Sequence, residues 1–311
     1  MGQLAKAENV KSILESSKGI QIKERLNEIL GKKTPGFVSS MINVSNSPTL
    51  KECEPMTVIS SAVVAATLDL PIDPNIGFAY VVPYNCKDKK TGKWIKKAQF
   101  QLGYRGYVQL ALRTSQYKNI NVVEVYKGQL KSWNPLTEEL EFNFENKESD
   151  DVIGYAGFFR LTNGFEKVVY WRKEDVLSHA KKYSKTFSSG PWKADFDFMA
   201  KKTVLKDMIK KWGILSIEMQ TGIKADQAVI KEGIVNKDSG LDENIDYVDN
   251  PQNAKDVDFE EIKEEIKQEA NKEVIDMEET TPVENKNNNK EKNEVVEAEI
   301  ASKEESEDNP Y

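Results

Sequence analysis

Residues 77–113 read GFAYVVPYNCKDKKTGKWIKKAQFQLGYRGYVQLALR, and their reading decides the fold. The segment GFAYVVPY alternates as a strand does, CKDKKTGK makes a polar turn, and WIKKAQFQL resumes the alternation, which together predict a β-hairpin. The second strand runs through Gly103, Tyr104, Arg105 and Gly106 into YVQLALRTS, whose Val108, Leu110, Ala111 and Leu112 suit a short helix. Upstream, MTVISSAVVAATLDL follows Pro55, is apolar on most faces and is stopped by Pro71 and Pro74, so a buried helix is expected. Further upstream, Val10, Ile13, Leu14, Ile22, Leu26, Ile29 and Leu30 fall at helical spacing and end at Gly31, as one or two amphipathic helices with a glycine cap would. This end is read as mobile or as packed on a neighbouring subunit.

Downstream comes a second strand group: NINVVEVYKGQL, a turn at SWNPLTEE, LEFNFEN, then IGYAGFFRL and FEKVVYW. The last two are joined by Thr162, Asn163 and Gly164, and the Asn-Gly pair signals a hairpin because both central residues of a type I′ turn need positive φ. Two helices, KEDVLSHAKKYSK and DFDFMAKKTVLKDMIKKW, close the body, separated by a turn at Gly190-Pro191-Trp192. Beyond about Val229 the composition turns to Glu, Lys, Asn and Asp, chain that buries too little apolar surface to offset its ordering entropy. The fold class is therefore α+β: β-hairpins packed on helices in one compact core with a disordered acidic C-terminal tail. The expected divisions are a helical N-terminal segment over residues 1–50, a core over 51–229 and a tail over 230–311. Within the tail, Ile262, Ile266, Ala270 and Val274 have the spacing of a helix that forms on a partner.

Charge follows the same division. Residues 1–230 carry 34 Lys plus Arg against 25 Asp plus Glu, whereas residues 231–311 carry 10 against 26. A basic body on an acidic tail points to polyanion binding by the body. Only five of the 44 basic residues are Arg, and the rest are Lys, which grips a phosphate as a point charge and lacks the planar fork that reads a guanine edge. Cys53 and Cys86 stand apart and His179 is the one histidine, so no metal site, no cofactor and a reduced cytosolic setting are expected. Neither a membrane span nor a targeting segment is expected: the longest apolar run, Ala62 to Ala66, is far below the roughly 20 residues a span needs. Lys6 stands where a myristoylation motif takes Ser or Thr.

The candidate binding residues form surfaces. Around the hairpin lie Lys87, Lys89, Lys90, Lys93, Lys96 and Lys97 with Trp94 among them, leading to Tyr104, Arg105 and Tyr107; interleaved cations and aromatics suit a single strand, whose phosphates and bases they contact in turn. Taken alone, this is more simply a solvated hairpin tip with Tyr104 and Tyr107 in the core. In the last helix Lys202, Lys206 and Lys210 recur every four residues with Lys201 and Lys211 beside them. A third cluster holds Arg172, Lys173, Lys181, Lys182 and Lys185. Each is an ordinary wet helix face by itself; their number in one basic body carries the weight. Enzymatic readings fail on the residues. A P-loop needs Gly at position 87, which is Lys87, and Ser or Thr at position 94, which is Trp94. His179 has only Ser178, Lys181 and Lys182 nearby, and Asp69, Asp73, Glu124, Asp150 and Asp151 read as turn or isolated carboxylates. No catalytic residue is assigned.

The order of the blocks EPMTVISSAVVAATLDLPIDP, GFAYVVPY, FQLGYRGYVQLALRTSQYKNI and IGYAGFFRLTNGFEKVVYWRKEDVLSHAKKYS, from Cys53 to Lys182, resembles the RecT family of phage and prophage single-strand annealing recombinases. The resemblance implies β-hairpins packed on helices, homo-oligomeric rings or filaments, and ATP-independent annealing of complementary strands. It also implies a phage exonuclease and the host single-strand-binding protein as partners, in the cytoplasm of a bacterial host cell. By position it offers Tyr104, Arg105 and Arg113 to a DNA groove, and it departs from the family at Lys127, Gly128 and Gln129, where many relatives are acidic; Lys127 is a further candidate contact.

The mechanism expected is electrostatic. Two complementary strands repel one another, and lysines along one backbone lower that barrier while leaving base edges free to pair. The partners are single-stranded DNA and the annealed duplex intermediate. The alternative is a plain single-strand binder that does not anneal; an RNA-binding or structural assembly protein and a metal-dependent nuclease are more distant. The tail competes for the groove, recruits partners or only maintains solubility.

Overall fold

The computed structural model describes residues 9–87, 92–184, 186–235, 241 and 244–247. Lys89, Lys90, Lys185 and the tail segment from Ile262 to Val274 lie outside the described residues. The helices are α1 (Val10–Glu15), α2 (Ser17–Leu30), α3 (Thr34–Ser45), α4 (Pro55–Thr67), α5 (Tyr104–Arg113), α6 (Lys173–Tyr183), α7 (Pro191–Ala194), α8 (Phe196–Trp212) and α9 (Ile217–Ala225). The strands are β1 (Ala79–Lys87), β2 (Trp94–Leu102), β3 (Tyr117–Tyr126), β4 (Leu130–Asn134), β5 (Glu139–Phe142), β6 (Val152–Leu161), β7 (Glu166–Arg172), β8 (Ala228–Ile230) and β9 (Ile245–Asp246). The class is α+β, as expected.

The predicted hairpin is present as β1 and β2, antiparallel from Ala79 opposite Leu102 to Lys87 opposite Trp94. It belongs to a sheet ordered β1-β2-β8-β9. Pro83 is accommodated because β1 is the edge strand, where a missing backbone donor breaks no further ladder. The second sheet is ordered β3-β6-β7, and β4 with β5 forms a separate two-stranded ribbon. The centre of the core is α4, buried from Met56 to Ala66 as its composition predicts. It joins Ala98, Phe100 and Leu102 of β2 in one hydrophobic cluster, and Thr57 Oγ1 accepts a 2.8 Å hydrogen bond from the Ala98 backbone. Each such large apolar side chain contributes about 1.5–3 kcal/mol on burial.

Five expectations give way to specific geometry. The N-terminal helices pack on α4 of their own chain, with Ile22, Leu26 and Met41 fully buried, so this end is part of the core. Helix α4 ends at Thr67, ahead of the prolines, where Asp69 takes a left-handed φ of 47°. The turn expected over residues 132–139 is shorter, since β4 runs to Asn134 and β5 starts at Glu139 after Glu138 at φ 61°. At the Asn163-Gly164 hairpin only Gly164 has positive φ, 91°; Leu161 and Phe165 close a three-residue loop whose Asn163 side chain accepts from the Phe165 backbone. Finally, paired strand continues beyond Val229: β8 is buried on the open edge of β2 and β9 pairs with β8 as far as Asp246.

The turn from β2 into α5 allows no side chain at two positions. A Cβ at Gly103 would lie 2.1 Å from the Gly77 carbonyl oxygen, and one at Gly106 would lie 2.2 Å from that of Phe78. Gly106→Ala is therefore expected to destabilise the fold by about 1–3 kcal/mol, read as a lower urea midpoint; an unchanged midpoint would show that the Phe78 backbone yields without cost.

Candidate nucleic-acid interface

Period-two alternation sorts β2 into two sets: Ala98, Phe100 and Leu102 enter the core, while Gln99 and Gln101 line a cleft of about 570 Å³. Val82 and Tyr84 of β1 continue this wall, His179 and Tyr183 of α6 stand across it, and Lys202, Lys206 and Lys210 of α8 form a third side. The four-residue spacing of these lysines places them on one helix face. That face is not simply wet. Lys202 is buried, Lys206 half-buried and Lys210 exposed, so cationic charge runs from the cleft interior to its mouth.

Asp226, between α9 and β8, is the reason two lysines lie this deep. Its Oδ2 is 2.6 Å from Lys206 Nζ and accepts a 2.9 Å hydrogen bond from the Tyr107 hydroxyl. Its Oδ1 accepts a 2.9 Å bond from the Leu102 backbone and lies 3.7 Å from Lys202 Nζ. Burial by itself pushes this carboxyl up, but the ammoniums of Lys202 and Lys206 outweigh it and hold the group at about 2. Burial lowers the Lys202 ammonium, and Asp226 works against that shift. Two ammoniums against one carboxylate leave a net positive charge at the cleft floor, to which Lys210 adds. Asp207 also lines the cleft but is engaged 3.1 Å from Lys211. His179 contacts Trp171 and Tyr183 edge-on or tilted, and its pKa is lowered, chiefly by burial, so it adds no charge at neutral pH.

The remaining predicted residues are dispersed. Lys97 belongs by alternation to the cleft side of β2, with its Nζ 3.6 Å from Glu54, while Lys96 on the opposite side is bonded to Glu52. Trp94 and Lys93 are exposed towards the hairpin tip. Tyr104 is half-buried between α5 and β3, and exposed Arg105 donates 3.2 Å to the Ile76 carbonyl. Tyr107 is a correction: its ring is wholly buried and its hydroxyl is spent on Asp226, so no face is left for a base. Lys202 is a second, since it is buried with its ammonium facing Asp226, whereas Lys206 on the same carboxylate is only half-buried. Arg113 is a third. It donates to the Leu68 and Asp69 carbonyls at 2.5 and 2.8 Å and so fastens α5 to the loop after α4. Lys127 faces Glu148 at 3.9 Å and Arg172 faces Asp175 at 3.2 Å, exposed pairs that a phosphate readily replaces. Lys173, Lys181 and Lys182 have no ion-pair partner among the described residues, and Lys182 lies 5.2 Å from the Tyr183 ring centre. Sequence reasoning missed Gln99, Gln101, Tyr84 and Asp226. The two glutamines carry a faint signal, uncharged polar residues alternating with Phe100 and Leu102; Asp226 carries none, because its partners are distant in sequence.

Among the described residues no group of three or more His, Cys, Asp or Glu side chains is placed to hold a metal ion, and no helix is long and apolar enough to cross a membrane. An α+β body with a lysine-lined cleft is the build of a polyanion-binding protein. The chain belongs to the RecT family, whose family model matches residues 35–241. It is 54% identical over 215 residues to the uncharacterized protein YqaK of Bacillus subtilis (strain 168), covering 69% of this chain and 70% of that one. It is 32% identical over 184 residues to protein RecT of Escherichia coli (strain K12), covering 58% of this chain and 66% of that one. Family membership makes it a DNA-binding protein of recombination and single-strand annealing.

Asp226→Asn leaves two lysines without their counter-charge and is expected to cost about 3–5 kcal/mol in urea unfolding. Because the folded-state pKa of Asp226 is depressed from 3.8 to about 2, its contribution is complete above the unfolded value and is lost as pH falls through the folded one. Wild-type stability should therefore fall between those two values by more than that of the variant, and parallel acid profiles would contradict the assignment.

Proposed function

We propose that the chain binds single-stranded DNA along this cleft through the phosphate backbone and promotes ATP-independent pairing of complementary strands. The observation that carries the reading is the row of Lys202, Lys206 and Lys210 facing the uncharged Gln99 and Gln101. Among the described residues no arginine lines the cleft, so it offers charge without the bidentate fork that discriminates bases. Lys206 and Lys210 neutralise phosphates directly, and Lys202 holds Asp226 so that Lys206 keeps its place. Lys97 extends the row towards the hairpin, where Lys93 and Trp94 supply a cation and an open ring for a base to stack on. Arg105, Lys127, Arg172, Lys173, Lys181, Lys182 and Lys211 serve as outer contacts. Neutralising one backbone lowers the repulsion of the second strand, and pairing supplies the specificity.

On this reading the protein is a binding protein and not an enzyme. It works as a homo-oligomeric ring or filament that extends the cleft from subunit to subunit, in the bacterial cytoplasm, alongside a phage exonuclease and the host single-strand-binding protein. Greater affinity for the annealed intermediate than for either strand drives the reaction forward.

Two labelled complementary oligonucleotides mixed without ATP should pair faster with the protein than without it. Unchanged pairing with retained binding would leave a plain single-strand binder. Lys210→Ala should shallow the slope of log affinity against log salt by about 0.7, the share of one phosphate contact on a single strand; Lys23→Ala on exposed α2 should leave it alone.

A further inference from the structure

Two glutamines are buried among the described residues, and they differ in one respect. Gln129 is satisfied at both ends, its Oε1 accepting from the Tyr126 backbone at 2.9 Å and its Nε2 donating to the Phe144 carbonyl at 3.1 Å. Gln99 is 1% exposed, lines the cleft, and its Nε2 has no hydrogen-bond partner among the described residues. A buried donor without an acceptor destabilises the free protein and calls for an explanation. Its strand neighbours cannot supply one: Gln99 is paired in register with Val82 on one side and Val229 on the other, both apolar. Nor can Asp226, the anion of the cleft floor, whose two oxygens are already engaged by Lys202, Lys206, Tyr107 and the Leu102 amide.

We propose that the Gln99 carboxamide is a ligand of bound DNA, donating a hydrogen bond to a phosphodiester oxygen at the cleft floor. The inference rests on the cleft being the DNA site. The cleft supplies the chemistry. The ammoniums of Lys202 and Lys206 give the floor an excess of positive charge, so the acceptor that fits beside them is anionic, and the anion of a nucleic acid is its phosphate. A 180° turn of the amide exchanges its NH₂ and C=O ends, so the now enclosed donor can face the cleft while the carbonyl oxygen takes its place. The contact also differs in kind from those of the lysines. A neutral donor releases no counterion when it meets a phosphate, so its share of the affinity persists at salt concentrations that weaken the lysine contacts.

The test is fluorescence anisotropy of the full-length protein with a labelled single-stranded DNA oligomer, and with an abasic oligomer of equal length, across a salt series. Gln99→Met keeps the length and removes the amide. It should weaken binding about tenfold at every salt concentration, with the slope unchanged and the same loss on both oligomers. Gln99→Glu places a carboxylate against the phosphate and should weaken binding further, most at low salt; it decides the matter alone should the Met variant fail to fold. Wild-type affinity in either folded variant overturns the proposal. A loss confined to the oligomer with bases overturns it too, by making the acceptor a base. If Lys210→Ala lowers the salt slope while Gln99→Met is silent, the cleft reading survives and this inference falls. If Lys210→Ala also leaves the slope alone, the cleft is not the DNA site.

Discussion

The carboxylate of Asp226 holds the body of this protein together. From the junction of α9 and β8 it receives the hydroxyl of Tyr107 on α5, the last backbone amide of β2 and two ammoniums of α8. Four elements thus meet at one side chain with no solvent to share the load, and in that setting an unpaired partner costs far more than the pair gains. The close turn at Gly103 and Gly106 brings α5 near enough to β2 for the arrangement to form. The same constraint brings lysines into the cleft: without the carboxylate, the middle of α8 would not keep ammoniums inside the fold.

On the proposed reading of the cleft, strand β2 joins stability to binding. One set of its side chains packs in the core with α4, and the alternate set lines the cleft. A one-residue slip in its register with β1 would exchange the two sets, placing glutamines in the core and phenylalanine in the cleft. The registration of the hairpin, fixed along nine paired positions from Ala79 to Lys87, is therefore a condition of binding as well as of folding.

The hairpin, its passage into α5, the buried α4 and the strand group from β3 to β7 were legible because each rests on local periodicity. Features set by partners distant in sequence were not. Strand β8 is three residues long and exists because β2 has an edge to cover. The Asn163-Gly164 pair looked like the two positive-φ positions of a type I′ turn, and in the three-residue loop between β6 and β7 only Gly164 takes that conformation. The site shows the same split. The spacing of Lys202, Lys206 and Lys210 was visible, but their gradation in burial was not, since it is set by Asp226. Tyr107 looked like a contact from its place among cations after the hairpin and Arg113 from its position in the family resemblance, and the fold uses both internally.

On the proposed reading of the cleft as the DNA site, the gradation along α8 has a kinetic consequence. Because Asp226 offsets part of the charge of Lys202 and Lys206, a departing strand uncovers less than two bare ammoniums, and water has little to repair when the cleft empties. Vacating the cleft then raises only a small barrier, which suits a molecule that has to hand its cargo over to a complementary strand.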